Sequence, residues 1–190
     1  MLTRWLKVPK LNVHTPGAEM DLGKLSTLLY PLGVPSEFDY PWDRMYVLKT
    51  ILAAAKIKEP NSQDSTGDPT HFVFKRGSTT LTTIGRLNGF EFRQRRYSLF
   101  GNFDSVEAAV CPYGNGPGPF SQAGPFSQGG DSGAAIVGPN NDFIAQLTGG
   151  TGLSDYSDII YGTPMEWLWN DVIKVKFPNA ELFFDVPADK

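Results

Sequence analysis

The chain has 190 residues and a formal net charge of -3, which suits one domain of ordinary size and excludes two full catalytic domains. Its hydrophobic fraction of 41% is enough to form a core, and its acidic balance favours neither nucleic acid nor an anionic membrane as a partner. A single cysteine, Cys111, and two histidines exclude a disulfide framework and a multi-cysteine zinc site, so we expect no metal and no cofactor.

Residues 1–70 are predicted to form an irregular, partly helical extension. Seven prolines interrupt every candidate strand there, because proline lacks a backbone donor. Apolar residues at helical spacing predict one amphipathic helix over residues 43–57, and the polar run 61–68 predicts a linker. The first residues contain no apolar run typical of a secretory leader, and the chain has none long enough to cross a bilayer. These features predict an intracellular, cytoplasmic protein.

Residues 71–190 are predicted to form a mainly β domain that ends in a helix. Short runs rich in β-branched and aromatic residues, separated by glycines, are typical of a barrel or sandwich. The candidate strands are 71–75, 79–87, 90–99, 105–111, 133–137, 143–148 and 158–162. The pair Asn88-Gly89 predicts a tight hairpin between the second and third of them. After Pro164, an apolar stripe from Met165 to Ile173 predicts the C-terminal helix.

The segment Gly129-Gly-Asp-Ser-Gly133 is the strongest chemical signal in the chain. A serine that attacks a carbonyl must lie on a tight turn, near backbone N–H groups that stabilise the developing negative charge. Gly130 and Gly133 permit such a turn around Ser132, so the amides of Gly130 and Ser132 can form an oxyanion hole while Asp131 holds the loop from inside. On these five residues alone, an ordinary glycine-rich turn is an equal alternative.

The residues around this loop resemble the second barrel of the chymotrypsin-like serine proteases of the PA clan. More closely, the chain resembles uncharacterised intracellular trypsin-like proteins of filamentous and mushroom-forming fungi. The matching runs are Gly130-Asp-Ser-Gly133, Leu147-Thr-Gly-Gly150, Asp158-Ile-Ile-Tyr161, Thr163-Pro164, Trp167-Leu168 and Phe177-Pro-Asn-Ala180. The resemblance implies a single six-stranded Greek-key barrel followed by a C-terminal helix. Of the family's two barrels, only the second, which bears the nucleophile, is expected in this chain.

The resemblance also implies roles for individual residues. Ser132 matches the nucleophile, the amides of Gly130 and Ser132 match the oxyanion hole, and Asp131 matches the aspartate that supports the loop rather than the acid of the triad. The strand edge that would accept an extended peptide or protein substrate matches Leu147, Thr148, Gly149 and Gly150. Gly149, Gly150 and Gly162 are expected to leave room for a side-chain pocket. A tandem copy of Gly-Pro-Phe-Ser-Gln, at 118–122 and 124–128, lies where the family builds a pocket wall.

The general base is the missing part of this interpretation. A serine hydroxyl needs a base to remove its proton, and the family takes its histidine and the orienting aspartate from the first barrel. His14 is the weak candidate for this base, since no strand precedes it, and His71 is predicted to be a half-buried strand or loop residue. We therefore expect an inactive or incomplete serine endopeptidase homologue, with a missing first barrel as a partner in trans. The alternatives are a peptide-binding pseudoenzyme or interaction module and a non-functional fragment.

Two further features are given structural interpretations. Lys75 and Arg76, together with Arg93, Arg95 and Arg96, are predicted to form a solvated basic hairpin rather than a nucleic-acid site. Cys111 is predicted to be a packed core thiol, because no cation or histidine lies close to it in the sequence.

Overall fold

The computed structural model describes residues 5–7, 45–60, 62–63, 67–113, 125–151 and 159–182. His14 and the first copy of the tandem repeat lie outside the described residues, as does most of the predicted N-terminal extension. The strands are β1 (Trp5–Lys7), β2 (Met45–Val47), β3 (Thr50–Ile51), β4 (Ser62–Gln63), β5 (Pro69–Arg76), β6 (Thr82–Ser98), β7 (Gly101–Pro112), β8 (Ala135–Val137), β9 (Asp142–Thr151) and β10 (Ile159–Pro164). A single-turn helix covers Ala54–Ile57, and β1 pairs with β2 in a separate two-stranded sheet.

Six antiparallel strands are joined in a closed cycle of pairings. β5 pairs with β6, β6 with β7, β7 with β10, β10 with β9, β9 with β8, and β8 again with β5. The short strand β3 pairs in parallel with the first residues of β9, and β4 pairs antiparallel with the start of β5. The expectation of a mainly β chain with a C-terminal helix is confirmed.

The hydrophobic core lies inside this cycle. Alternate residues of a strand point to opposite faces, so the β-branched and leucine residues of one face meet those of the strands across the sheet. The fully buried members are Val73, Leu87, Val110, Phe126, Ile136 and Ala145. Burying a side chain of the size of valine, leucine or isoleucine contributes about 1.5–3 kcal/mol, so these residues dominate the stability of the domain. Ile57 of the short helix belongs to the same core, and Leu52 packs against it.

The predicted hairpin at Asn88-Gly89 is wrong. β6 continues through these residues to Ser98, and the turn to β7 is formed by Leu99 and Phe100. The register steps from Leu87↔Val110 to Glu91↔Ala108, so three residues of β6 lie opposite one residue of β7 in a β-bulge. A Cβ on Gly89 would lie 3.1 Å from the carbonyl oxygen of Lys58. The glycine is therefore favoured by the close approach of a distant segment, and not by a turn.

The predicted helix over residues 43–57 is also wrong, except for its last turn. Residues 45–47 and 50–51 are strands. The amides of Lys49 and Leu52 donate to the carbonyls of Asn141 and Phe143 at 2.9 and 3.0 Å. These bonds to the β9 region replace the bonds within a helix, so a tertiary partner overrides the local helical spacing.

The far half of the β6–β7 hairpin projects from the cycle as a two-stranded ribbon. β5 pairs with β6 only as far as Leu87, and β10 pairs with β7 only between Ala108 and Val110. The ribbon beyond these points is about 20 Å long at the usual rise per strand residue. Leu99 and Phe100 at its tip are 101% and 94% exposed. Arg93 and Arg95 are exposed on the ribbon, as predicted.

The C-terminal helix begins at Met165 and ends at Lys176, where the prediction placed it. Its middle, Leu168–Ile173, is a π-helix, and the amide of Phe177 closes the last turn on the carbonyl of Ile173 at 2.7 Å. The Oε2 atom of Glu166 accepts a 2.7 Å hydrogen bond from the amide of Ala54 and so joins the two helices. Within the described ranges, no helix is long and apolar enough to cross a bilayer.

Candidate functional site

The loop that carries Ser132 is shaped by two glycines in left-handed conformations. Gly130 has φ +103° and Gly133 has φ +86°, values that side chains rarely adopt. Residue 130 has a second constraint, because a Cβ there would lie 2.5 Å from Oγ1 of Thr79. Ser132 lies between these glycines, exposed at the turn that leads into β8. The glycine spacing in the sequence is therefore used by the backbone as a tight turn.

Asp131 points into the protein and is 1% exposed. Its Oδ1 atom accepts hydrogen bonds from the amides of Thr79 and Thr80, at 2.7 and 3.2 Å. Its Oδ2 atom accepts from Oγ1 of Thr80 at 2.6 Å, from the amide of Gln128 at 3.2 Å and from Nζ of Lys75 at 2.8 Å. The carboxylate therefore fixes the loop to β5, to the turn after β5 and to the segment before the loop.

Lys75 is the residue whose observed environment differs most from the sequence-based prediction. The prediction placed it in a solvated basic patch, and this is wrong, because its side chain is 0% exposed and forms an ion pair with Asp131. In β5 it lies on the same strand face as the core residue Val73, and its ammonium group lies 5.9 Å from the ring centre of Phe126. It also donates to Oγ1 of Thr80. A cation is tolerated there because a carboxylate and neutral acceptors replace its water.

The electrostatics of the pair favour the charged carboxylate. Burial by itself raises the pKa of Asp131, but the hydrogen bonds from Lys75, Thr80 and Thr79 outweigh it and lower the pKa to about 2. Burial also lowers the pKa of Lys75, while the hydrogen bond and charge of Asp131 act in the opposite direction. Asp131 therefore keeps its negative charge throughout the neutral range.

The loop leaves two amides available on either side of Asp131. Three amides of the loop are used: Asp131 donates to Gln128 at 3.1 Å, Gly133 to Leu147 at 2.8 Å, and Ala134 to Asp131 at 3.0 Å. Among the described residues, the amides of Gly129, Gly130 and Ser132 donate no hydrogen bond, and the last two flank Asp131. These are the two amides that the sequence analysis assigned to an oxyanion hole.

Two carbonyl groups of the same loop, those of Gly129 and Gly130, accept hydrogen bonds from side chains. Oγ1 of Thr79 donates to the carbonyl of Gly129 at 2.8 Å, and Oγ of Ser78 donates to that of Gly130 at 2.6 Å. Both carbonyl oxygens are thereby directed towards the turn after β5. A loop with covered acceptors and available donors has a positive local potential, which suits a negatively charged oxygen.

His71 makes no contact with Ser132 in the described structure. Nε2 of His71 lies 3.0 Å from the carbonyl oxygen of Lys56, and the ring also faces Asp142. Burial lowers the pKa of His71, which is 7% exposed and so more deeply buried than expected. Within the described part of the chain, the hydroxyl of Ser132 makes no hydrogen bond. His71 thus joins the short helix to β5, and the weak candidate His14 lies outside the described residues.

The predicted strand edge is open over three of its four residues. β9 pairs with β10 on one side through Leu147, Gly149 and Gly150. On the other side the pairing with β8 ends at Gln146, and in the described residues beyond it only Leu147 finds backbone partners. Its amide donates to Ala134, and its carbonyl accepts from Gly133. Leu147 is therefore not part of the free edge, which begins at Thr148.

Only one of three glycines leaves the open space that was expected for a pocket. A Cβ on Gly149 would meet no atom of the described residues within 4 Å. A Cβ on Gly150 would lie 2.8 Å from Cδ1 of Ile160, and one on Gly162 would lie 2.8 Å from Cδ1 of Ile136. Gly150 and Gly162 therefore serve close packing, and the expectation of a pocket beside them is wrong.

The chain was compared with known proteins. No family model and no curated protein sequence matches it. A solved structure to which it is similar is the chymotrypsin of Cellulomonas bogoriensis, with 16% sequence identity and a TM-score of 0.40. The match covers 70% of this chain and 54% of that chain, so this chain spans about half the length of the chymotrypsin.

Sequence reasoning missed the residues that hold the loop, namely Lys75, Thr79, Thr80 and Gln128. One signal was present for Lys75, because strand alternation after Val73 places it on the core face. A lysine on such a face requires a carboxylate partner. Asp131 was the one acidic residue that had been expected to point inward.

Proposed function

We propose that the chain carries the nucleophile-bearing Greek-key barrel of a chymotrypsin-like serine protease. Ser132 is the nucleophile, and the amides of Gly130 and Ser132 form the oxyanion hole. The observation that carries this proposal is the pattern of amides around Asp131: among the described residues, the two flanking amides donate no hydrogen bond, while those of Asp131, Gly133 and Ala134 are bonded. The closed cycle of six antiparallel strands supports the barrel, with two three-stranded meanders closed by the β5–β8 and β7–β10 pairings.

The isolated chain is proposed to be nearly inactive. The ring of His71 is engaged by Lys56 and is buried, so it is not available as a base for Ser132. An imidazole oriented by a carboxylate would have to come from His14 or from a first barrel outside the present sequence. Without such a base, the oxyanion hole and substrate binding retain a small part of the activity of a complete triad.

The test is the reaction of Ser132 with a fluorophosphonate probe. The serine oxygen attacks phosphorus, fluoride leaves, and a base must accept the hydroxyl proton. We expect negligible labelling of the chain alone and faster labelling as the concentration of added imidazole rises, with none at this site in Ser132→Ala. Labelling that imidazole does not accelerate would identify an ordinary turn serine. Rapid labelling without imidazole would show that the chain supplies its own base.

A second function is favoured by the free edge of β9. Thr148, Gly149 and Gly150 present one side of the strand without a ladder partner in the described residues, so an extended peptide can add there as a further strand. A peptide-binding module that does not cleave would use this edge alone. We expect peptide affinity, measured by calorimetry, to survive Ser132→Ala and to be lost in Gly149→Val. Since a Cβ at Gly149 meets no neighbour among the described residues, the loss would report binding and not folding.

A further inference from the structure

We propose that a cavity at the start of β5 binds a small organic carboxylate with a flat apolar body. The cavity has a volume of about 590 Å³, and small-molecule sites in proteins commonly measure about 300–1,000 Å³. It is lined by Pro69 and Thr70, the first residues of β5, whereas the loop of Ser132 is held beyond the last residue of that strand. The residues of β5 span about 25 Å, so this site is separate from the one assigned to the proposed function.

Apolar surface for the body of the ligand comes from two prolines and from the β-bulge of β6. Pro60 and Pro69 line the cavity with rigid rings. Gly89 and Phe90, which belong to the bulge, line it as well. Phe90 is 77% exposed, so its ring lies at the rim of the cavity and can stack on a flat ligand. The walls therefore suit an aromatic ring better than a small inorganic ion.

Arg86 provides the cation for the carboxylate group. It lies directly opposite Cys111 in the β6–β7 pairing, and both side chains are half-buried and line the cavity. Burial raises the pKa of the Cys111 thiol, and the charge of Arg86 acts in the opposite direction, which places the guanidinium close to the thiol. The planar fork of a guanidinium matches the two oxygens of a carboxylate. A carboxylate bound by Arg86 would therefore lie next to Cys111.

The charges around the cavity favour an anionic ligand. Lys58 and Arg86 line it together with a single acidic residue, Asp68, among the described residues. The ammonium group of Lys58 also binds the carboxylate of Glu91 at 2.6 Å. An ammonium has three donors, so it can bind a second carboxylate beside the first. Glu91 is then a competitor of the ligand, and its removal should strengthen binding.

The first experiment uses Cys111 as the reporter of occupancy, with benzoate as the probe. Cys111 is the single cysteine of the chain, so its alkylation by iodoacetamide can be followed by intact mass. A ligand present at about ten times its dissociation constant leaves about one tenth of the sites empty, so benzoate should slow alkylation about tenfold. Benzamide lacks the charge and inorganic phosphate lacks the ring, so neither should slow it at the same concentration.

Each probe can contradict a different part of the proposal. Alkylation that benzoate does not slow would overturn the proposed site. Equal protection by benzamide would overturn the role of the cations, because it would show that the ring alone is recognised. Equal protection by phosphate would overturn the organic class of ligand, because it would show a site for any anion.

The second experiment changes the ion pair at the cavity and measures the affinity for benzoate by the same protection assay. Glu91→Gln should tighten binding and Lys58→Gln should weaken it, each by about two- to fivefold, as expected for one partly exposed charge. The two side chains are 40% and 54% exposed, so both variants should fold. Arg95→Gln is the matched control, because Arg95 is 56% exposed, lies on the ribbon and carries the same charge as Lys58. An equal effect of Arg95→Gln would overturn the proposal, since it would show that net charge and not the cavity determines the affinity.

Arg86 is tested last because it is half-buried. In a folded Arg86→Met protein the affinity for benzoate should fall at least about tenfold, which is the effect of losing one charge-assisted hydrogen bond. An affinity equal to that of the wild type would overturn the proposal. If this variant does not fold, the opposite shifts expected in Glu91→Gln and Lys58→Gln decide the question. Ser132→Ala should bind benzoate as the wild type does, so a failure of the proposed function leaves this site untouched.

Discussion

Replacing Asp131 by asparagine tests how strongly the loop is tied to the core. The amide side chain has the same shape and keeps an acceptor for the bonds from Thr79 and Thr80 at Oδ1. At Oδ2 it places an NH2 group against three donors, from Lys75, Thr80 and Gln128. It also leaves the ammonium of Lys75 buried without a counter-charge. Breaking a buried pair in this way costs about 3–5 kcal/mol.

Lys75→Met is expected to cost less, because the four bonds from neutral donors to Asp131 stay in place. We expect about 2–3 kcal/mol, which is the range for a buried group that loses one charged partner and keeps its others. In the double variant Lys75→Met/Asp131→Asn the stranded charge disappears. The two losses should therefore fail to add, with a coupling free energy of about 2–3 kcal/mol.

The assay is urea denaturation of the wild type, both single variants and the double variant, followed by tryptophan fluorescence. The slope of the free energy of unfolding against urea must be equal in all four proteins for the comparison to hold. Arg95→Met/Asp104→Asn is the control, because this ion pair is exposed and should couple by less than about 1 kcal/mol. Losses at Lys75 and Asp131 that add to within about 0.5 kcal/mol would refute the reasoning.

Three further predictions follow from burial and local geometry. Phe126→Ala removes a fully buried ring and should lower the free energy of unfolding by about 3–5 kcal/mol in thermal denaturation. Phe100 is 94% exposed, so Phe100→Ala should cost about 0.5 kcal/mol or less, and equal losses would contradict the core assignment. The pKa of Asp131, lowered from 3.8 to about 2, contributes about 2 kcal/mol of stability that is present above pH 4 and lost as the pH falls towards 2. Acid titration of Asp131→Asn should lack this component, and an identical acid profile would count against it. Gly162→Ala should cost about 1–3 kcal/mol because its Cβ meets Ile136 and Ala145, whereas Gly149→Ala should lie within about 0.5 kcal/mol of the wild type by the same denaturation assay.

The strands could be predicted where local pattern determines them. The predicted strand 71–75 corresponds to Pro69–Arg76, and the predicted strand 143–148 corresponds to Asp142–Thr151. Both segments contain several β-branched and aromatic residues, whose preference for strands acts within a few positions along the chain. The helix over 43–57 failed for the opposite reason. Its apolar residues fit a helix, but β9, which is distant in sequence, offers backbone partners that the local pattern does not contain.

The candidate site, like the strands, could be predicted only where local sequence determines it. The tight turn around Ser132 could be predicted because glycine spacing is a local property of the backbone. The partner of Lys75 could not be identified from the residues near it in the chain, since Asp131 lies 56 residues further along. Gly89 shows the same limit, because the group that requires a glycine there is the backbone of Lys58.

The segment before β5 bears on how the chain can be shortened. A chain that begins at residue 71, the predicted domain boundary, would lack β3, which pairs with β9, and Ile57, which belongs to the core. It would also leave Glu166 without the hydrogen bond from the amide of Ala54. A shortened chain that starts there would leave the first residues of β9 without their parallel partner strand and the C-terminal helix without one of its anchoring hydrogen bonds. The smallest autonomous unit therefore has to start at or before Thr50.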